Sequence, residues 1–313
     1  MRSKNRIVEI LRDFFEVHRL VDELARRHDS VGLRFPELAV LIGDDESSVL
    51  FRLKERSHAF FREPGEDRRP SHREALFDLA VGSLFHEAMK LRENLYQREV
   101  YGPRVRALHS DAGEDSKALF EEFEKMLETV GERLDEGVQE LQDLVARTSD
   151  QLRMLVVESS NEVAARFLCE RPDRVLAVFG TSLDDVLSQM FGDPAHGLMV
   201  AGRSYLEAGA FERAAQVFTR ALDEPDPPAE VSGLCDYAEG MAAYLSRDYA
   251  KSVARLTAWA AGGPPDARWV PLARDAVASL SQLAFGEDRD RVVSAAQALA
   301  DRLGEDTRRA GAG

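Results

Sequence analysis

With 313 residues the chain holds roughly two domains, and 44% hydrophobic with 31% charged residues fits a well-folded, helix-rich protein. The longest apolar runs fall far short of the ~20 residues a membrane span needs. The formal net charge of −15 repels phosphate and makes nucleic acid an unfavoured partner.

That charge is unevenly placed. Residues 1–110 sum to +1, residues 111–150 to −9 and the remainder to −7, so only the N-terminal third escapes the argument from charge. The basic start, Met1 to Arg6, leads into an amphipathic stretch and not into an apolar signal core, and the expected address is the cytoplasm. Cys169 and Cys235 sit among apolar neighbours, outside any CxxC or Cys/His spacing, and read as buried free thiols. Arginine greatly outnumbers lysine, a bias typical of GC-rich bacterial genomes.

Asn5–His28 carries Ile7, Ile10, Leu11, Phe14, Val17, Leu20, Val21 and Leu24 at the 3–4 spacing of an amphipathic helix. Next, Pro36 suits a first helical turn and Gly43 a helix stop. Leu38, Ala39, Ile42, Gly43 and Val49 are spaced as in the helix-turn-helix of bacterial transcription regulators, which this stretch of about 20 residues resembles; it departs at Arg52, where an aliphatic residue is usual. The resemblance would make Glu46, Ser47, Ser48, Phe51 and Arg52 the start of a recognition helix. Asp44, Asp45 and Glu46 would then face phosphate, so a purely structural three-helix unit is the preferred reading.

Glu63–Ser71 is a polar turn with two prolines, expected to link subdomains. Ser71 and Glu74 have the spacing of a capping box, opening a helix from about His72 to Val100. Its expected face is Leu76, Leu79, Ala80, Ser83, Leu84, Met89, Leu91 and Leu95, with Gly82 and Ala88 admitting a close neighbour. His86-Glu87 lacks the second ligand of an HExxH site, because Lys90 stands there. Tyr96–Arg106 reads as an aromatic–basic loop before a Gly102-Pro103 break, and its Arg98, Arg104 and Arg106 are candidates for an anionic contact.

From Glu114 to Phe167, apolar residues fall at Leu119, Phe123, Met126, Val130, Leu134, Val138, Leu141, Val145, Leu152 and Leu155, a heptad-like seam with a stutter. One long helix is a possible outcome; a break at Thr148-Ser149-Asp150-Gln151, which fits a fresh capping box, is the other. Its outer face is acidic, and self-association through it would make a homo-oligomer. Two short helices, about 174–179 and 182–191, then lead to Gly192-Asp193-Pro194.

The strongest signal is Ala195–Pro228. Leu198, Ala201, Gly202 and Tyr205 form one helical stripe; Ala214, Ala215, Phe218 and Ala221 form a second, with Gly209 as the turn and prolines 225, 227 and 228 as the stop. Small residues let the two backbones approach while Tyr205 and Phe218 fill the flanks. This unit resembles the tetratricopeptide repeat, a 34-residue helix–turn–helix. A degenerate second copy lies 38 residues on, where Gly240 answers Gly202, Tyr249 answers Phe211, Leu256 answers Phe218 and Trp259 answers Ala221. Helices over about 267–285 and 288–303 have lengths fit for a third pair or a cap. The resemblance implies a concave groove, which by position would be lined by His196, Met199, Arg203, Leu206, Tyr237, Met241 and Tyr244. Met199 and Arg203 replace the Lys and Asn of the family's carboxylate clamp, so an apolar helix or extended peptide is the implied ligand. Packing of the same side chains inside the chain is the competing reading.

The sequence thus reads as an all-α protein: a helix-turn-helix-like unit over 1–62, a long-helix bundle or coiled-coil-like region over 71–170, and a repeat domain over 171–304. No nucleophile–base pair, phosphate loop or metal cluster is legible, and no cofactor is implied. The expected function is non-enzymatic: a scaffold or adaptor binding another protein. The alternative is a DNA-binding regulator with a helical-repeat sensor.

Overall fold

Helices account for nearly all the described residues of the computed structural model (2–43, 47–60, 71–110, 117–262, 268–284 and 289–310), and no strand occurs among them. The protein is all-α. None of these helices is long and apolar enough to cross a membrane. The chain divides into two compact units, Met1–Ala164 with Arg171–Ser182, and Ala165–Glu170 with Leu183–Gly313.

The first unit opens with α1 (Arg2–Val31), whose Ile7, Ile10, Leu11, Phe14, Val17, Val21 and Leu24 are buried at the expected spacing. Gly32 ends it at φ 78°, a conformation that only glycine reaches cheaply. A short α2 (Phe35–Leu38) follows, shorter than the Pro36-to-Gly43 helix expected, with Pro36 in its first turn. The amides of Val49 and Leu50, which open α3 (Val49–Phe60), donate to the carbonyls of Val40 and Leu41 at 3.1 and 3.0 Å. The acidic triplet 44–46 and most of the 63–71 turn lie outside the described residues.

Helix α4 (His72–Tyr96) starts with the capping box read from sequence. Ser71 Oγ accepts from the Glu74 amide at 3.2 Å, and the Glu74 carboxylate accepts from the Ser71 amide at 2.6 Å. Its buried face is Phe77, Val81, Leu84, Ala88, Leu91 and Leu95, not the stripe through Leu76, Leu79 and Ser83. Leu79 and Ser83 are exposed, and a Cβ at Gly82 would meet open space. This helix is apolar on more than one face, so periodicity alone left the choice of face open.

The Gly102-Pro103 break is absent. A π-helical turn, Gln97–Tyr101, joins α4 directly to α5 (Gly102–Ser110). A π-bulge is a known way to accommodate an irregularity inside an α-helix; here the Gly102 amide donates to the Gln97 carbonyl, one residue before Pro103, which has no N–H to donate. Tyr96–Arg106 is therefore helical and not a loop.

Opposite runs α6 (Lys117–Ser159), 43 unbroken residues, about 65 Å at 1.5 Å per residue. The capping box at 148–151 does not form: Thr148 and Ser149 are buried, and Thr148 Oγ1 donates to the Leu144 carbonyl at 2.7 Å. The pairing with α4 and α5 is antiparallel along its whole length. Arg73 meets Glu158 at 2.6 Å, Gly137 faces Leu91, Gly102 faces Leu127, and His109 stacks on Phe120 at 4.6 Å. Ser160 turns the chain at φ 44°, and Asn161 caps α7 (Glu162–Cys169) by accepting from the Val163 and Ala164 amides. Helix α8 (Pro172–Phe179) returns to the first unit, where Phe179 packs edge-on against Phe15 at 5.7 Å.

The second unit stacks short helices in chain order: α9 (Leu183–Phe191), α10 (Pro194–Glu207), α11 (Phe211–Asp223), α12 (Glu230–Leu245), α13 (Tyr249–Ala261), α14 (Val270–Leu283) and α15 (Arg289–Ala310). Each packs on the next, as in a helical repeat.

Candidate functional site

Two hairpins, α10–α11 and α12–α13, repeat one another at atomic detail. A methyl group at Gly202 would overlap the Phe218 ring; one at Gly240 would come within 2.7 Å of Leu256. Both glycines thus let a partner helix close in. In the first turn Gly209 N bonds to Leu206 O at 2.9 Å and Ala210 N to Tyr205 O at 3.0 Å. In the second, Arg247 N bonds to Tyr244 O at 3.1 Å and Asp248 N to Ala243 O at 2.9 Å. The pivot residues have the same left-handed backbone, φ 69° at Gly209 and 67° at Arg247.

Arginines stitch the helices together. Arg166 donates to the Ser204 carbonyl at 3.0 Å while Tyr205 Oη donates to the Arg166 carbonyl at 3.2 Å. Arg203 pairs with Glu230, Arg220 with Asp184, and Arg255 with both Asp236 and Glu239. Desolvation raises both thiols, Cys169 to about 12, which disfavours the reactive thiolate at neutral pH.

The seven residues expected to line a groove separate into two groups. Met199, Leu206, Tyr237 and Met241 are buried. Tyr237 is fully enclosed by Phe211, Trp259 and Trp269, with ring centroids 6.2, 4.9 and 5.7 Å away. Its hydroxyl finds no hydrogen-bond partner among the described residues, and desolvation pushes its pKa up to about 12. These four large side chains serve the core, because burying such area is worth ~25 cal/mol per Å². His196, Arg203 and Tyr244 are half-buried, resting against Phe191, Glu230 and Tyr249 respectively. Of the three arginines proposed for an anionic contact, Arg98 is bound to the Leu33 carbonyl and Glu99. Arg104 and Arg106 are exposed on α5.

The second unit has an open cleft of about 690 Å³ where the two hairpins meet at their turn ends. Its floor is methyl-lined, by Ala210, Ala215, Ala242 and Ala243, and Leu245 stands 62% exposed at the edge. Glu212, Gln216 and Lys251 supply a mixed polar rim. Other charged groups nearby are already engaged: Arg213 with Glu170, Glu239 with Arg255, and Asp248 as the cap that accepts from the Lys251 amide. Ser246 Oγ donates to the Ala242 carbonyl at 2.8 Å. A shallow alanine floor with an apolar lip and polar rim accepts a short helix or an extended segment. The sequence signal for it was an apolar Leu245 at the polar end of a helix, one residue before Ser246-Arg247-Asp248.

In the first unit, Arg52 of the helix-turn-helix-like stretch and Arg56 just beyond it are tied into the fold. Arg56 meets the buried Asp13 at 2.9 Å and Glu9 at 2.7 Å, and Arg52 donates to the Ser47 carbonyl at 2.9 Å. No cluster of three or more His, Cys, Asp or Glu side chains fit to hold a metal occurs among the described residues. No protein-family model, curated protein or solved structure matches the chain.

Proposed function

We propose that the second unit is a short, degenerate tetratricopeptide-type repeat that binds a segment of another protein, and that the chain works as a non-enzymatic scaffold or adaptor. One observation carries this reading: the α10–α11 hairpin recurs at α12–α13 with the same close approach of the second helix to a glycine of the first, by Phe218 at Gly202 and by Leu256 at Gly240, and the same turn. The junction between the two leaves an apolar-floored cleft. Stacked repeats of this kind present surfaces and carry little chemistry of their own. The cleft takes the place of the groove expected on the first helices, whose larger side chains are spent on the core.

The test is selection from a random peptide library against the intact protein, followed by binding to an Ala215→Arg, Ala242→Arg variant. Both alanines are half-buried in the cleft, so the added chains fill it while leaving the packed core alone. Loss of at least tenfold in affinity, about 1.4 kcal/mol, is the expected result. Peptides that bind the variant as well as the parent would remove the cleft from the account.

A further inference from the structure

The far end of the α4–α5/α6 hairpin exposes an apolar strip that the fold does not use. At the end of the π-turn that leads into α5, Tyr101 is 47% exposed, and on α5 itself Leu108 is 64% exposed, with Val105 half-buried between them. On α6, Leu119 is 69% exposed and Met126 45%, with Phe123 half-buried between them. Both sets follow helical spacing, at i, i+4, i+7.

Their placement follows from the register. Gly102 and His109 face α6, and Leu127 and Phe120 face α5. At 3.6 residues per turn, Tyr101/Val105/Leu108 lie about a quarter-turn from the shared face of α5. Leu119/Met126 lie about a quarter-turn from the shared face of α6. Because the two helices run antiparallel, both offsets fall on the same side of the hairpin. One continuous strip results, and a contiguous exposed apolar patch marks an interaction surface.

The edges of the strip carry opposite signs. Exposed Arg104 borders it on α5, and exposed Glu122 borders it on α6. The register sets Arg104 level with Lys125, less than one turn from Glu122, while Lys125 itself is turned away from the strip. A two-fold axis running along the hairpin lays α5 of one copy over α6 of the other. That operation covers apolar with apolar and sets each Arg104 beside the other copy's Glu122. The surface is complementary to itself, which is the requirement of an isologous dimer.

We infer that the protein forms a symmetric homodimer through this strip, centred on Leu108 and Leu119 and edged by two Arg104–Glu122 pairs. The buried centre supplies the affinity and the charged edges fix the register. This assembly is independent of the cleft in the second unit.

Sedimentation of the full chain tests it. Wild type is expected at twice the 34.9 kDa chain mass, and Leu108→Glu with Leu119→Glu at a single chain mass with unchanged helical circular dichroism. Arg104→Glu alone and Glu122→Arg alone should each raise the dissociation constant about tenfold, since every reversal acts twice in a symmetric dimer. Combining the two reversals should restore wild-type affinity. A wild type that sediments as one chain overturns the proposal. So does a double glutamate variant that still dimerises, or a charge swap without rescue.

Discussion

Gly202 and Phe218 set the distance between α10 and α11, since any Cβ at position 202 would collide with the ring. In an exposed helix Gly→Ala gains about 1 kcal/mol; here overpacking, worth about 1–3 kcal/mol against folding, opposes that gain and exceeds it. Gly202→Ala should therefore lower stability by about 1 kcal/mol or more in urea titrations, and Phe218→Leu in the same chain should recover part of the loss. His18 offers a residue-scale test of a different kind. Burial holds its imidazole below the usual 6.5, against the pull of Asp22 at 3.2 Å, with Arg174 adding to the lowering. A depressed histidine contributes stability that is complete above its unfolded pKa and lost as pH falls through the folded value. The urea midpoint should fall between pH 7.5 and pH 5, and His18→Gln should flatten part of that slope; an unchanged slope would show that His18 stays solvated.

The turns of the two hairpins differ where it matters most for an element. Gly209 takes the left-handed conformation without strain, whereas Arg247 takes it with a Cβ, at a cost of about 1 kcal/mol. Arg247→Gly should raise the thermal midpoint of the second unit, a direct calorimetric measurement; a fall would mean that the arginine side chain repays its backbone. Whole elements were well marked in the sequence wherever period, cap and stop agreed: α1, the capped start of α4, and α10–α11. Legibility failed where tertiary packing overrode a local signal. Thr148 and Ser149 look like a helix start, but both are buried and the Thr148 hydroxyl donates back to the Leu144 carbonyl, so α6 stays continuous through them. Gly102-Pro103 looks like a break, but the π-turn absorbs it. The groove residues were chosen by position in a family pattern, and the pattern cannot say that Tyr237 is caged by Trp259 and Trp269. The cleft depends on alanines at the meeting of two turns, and alanine has no signature beyond being small.

At the scale of the molecule, the two units hold together by different arithmetic. In the second, each helix leans on its sequence neighbours, so contacts stay local and stability accumulates pair by pair. In the first, one long hairpin matches His109 with Phe120 at one end and Arg73 with Glu158 at the other. That register has a kinetic meaning. Loop closure is least costly for the pairs nearest the turn and grows for each pair farther from it, so the hairpin should zip from residues 109 and 120 towards 73 and 158. A truncation close to the turn, Leu127→Ala, should then slow refolding. One near the open end, Leu152→Ala, should leave refolding almost untouched and speed unfolding. Both leucines are buried, so stopped-flow rates for the two variants would show in which order this hairpin assembles.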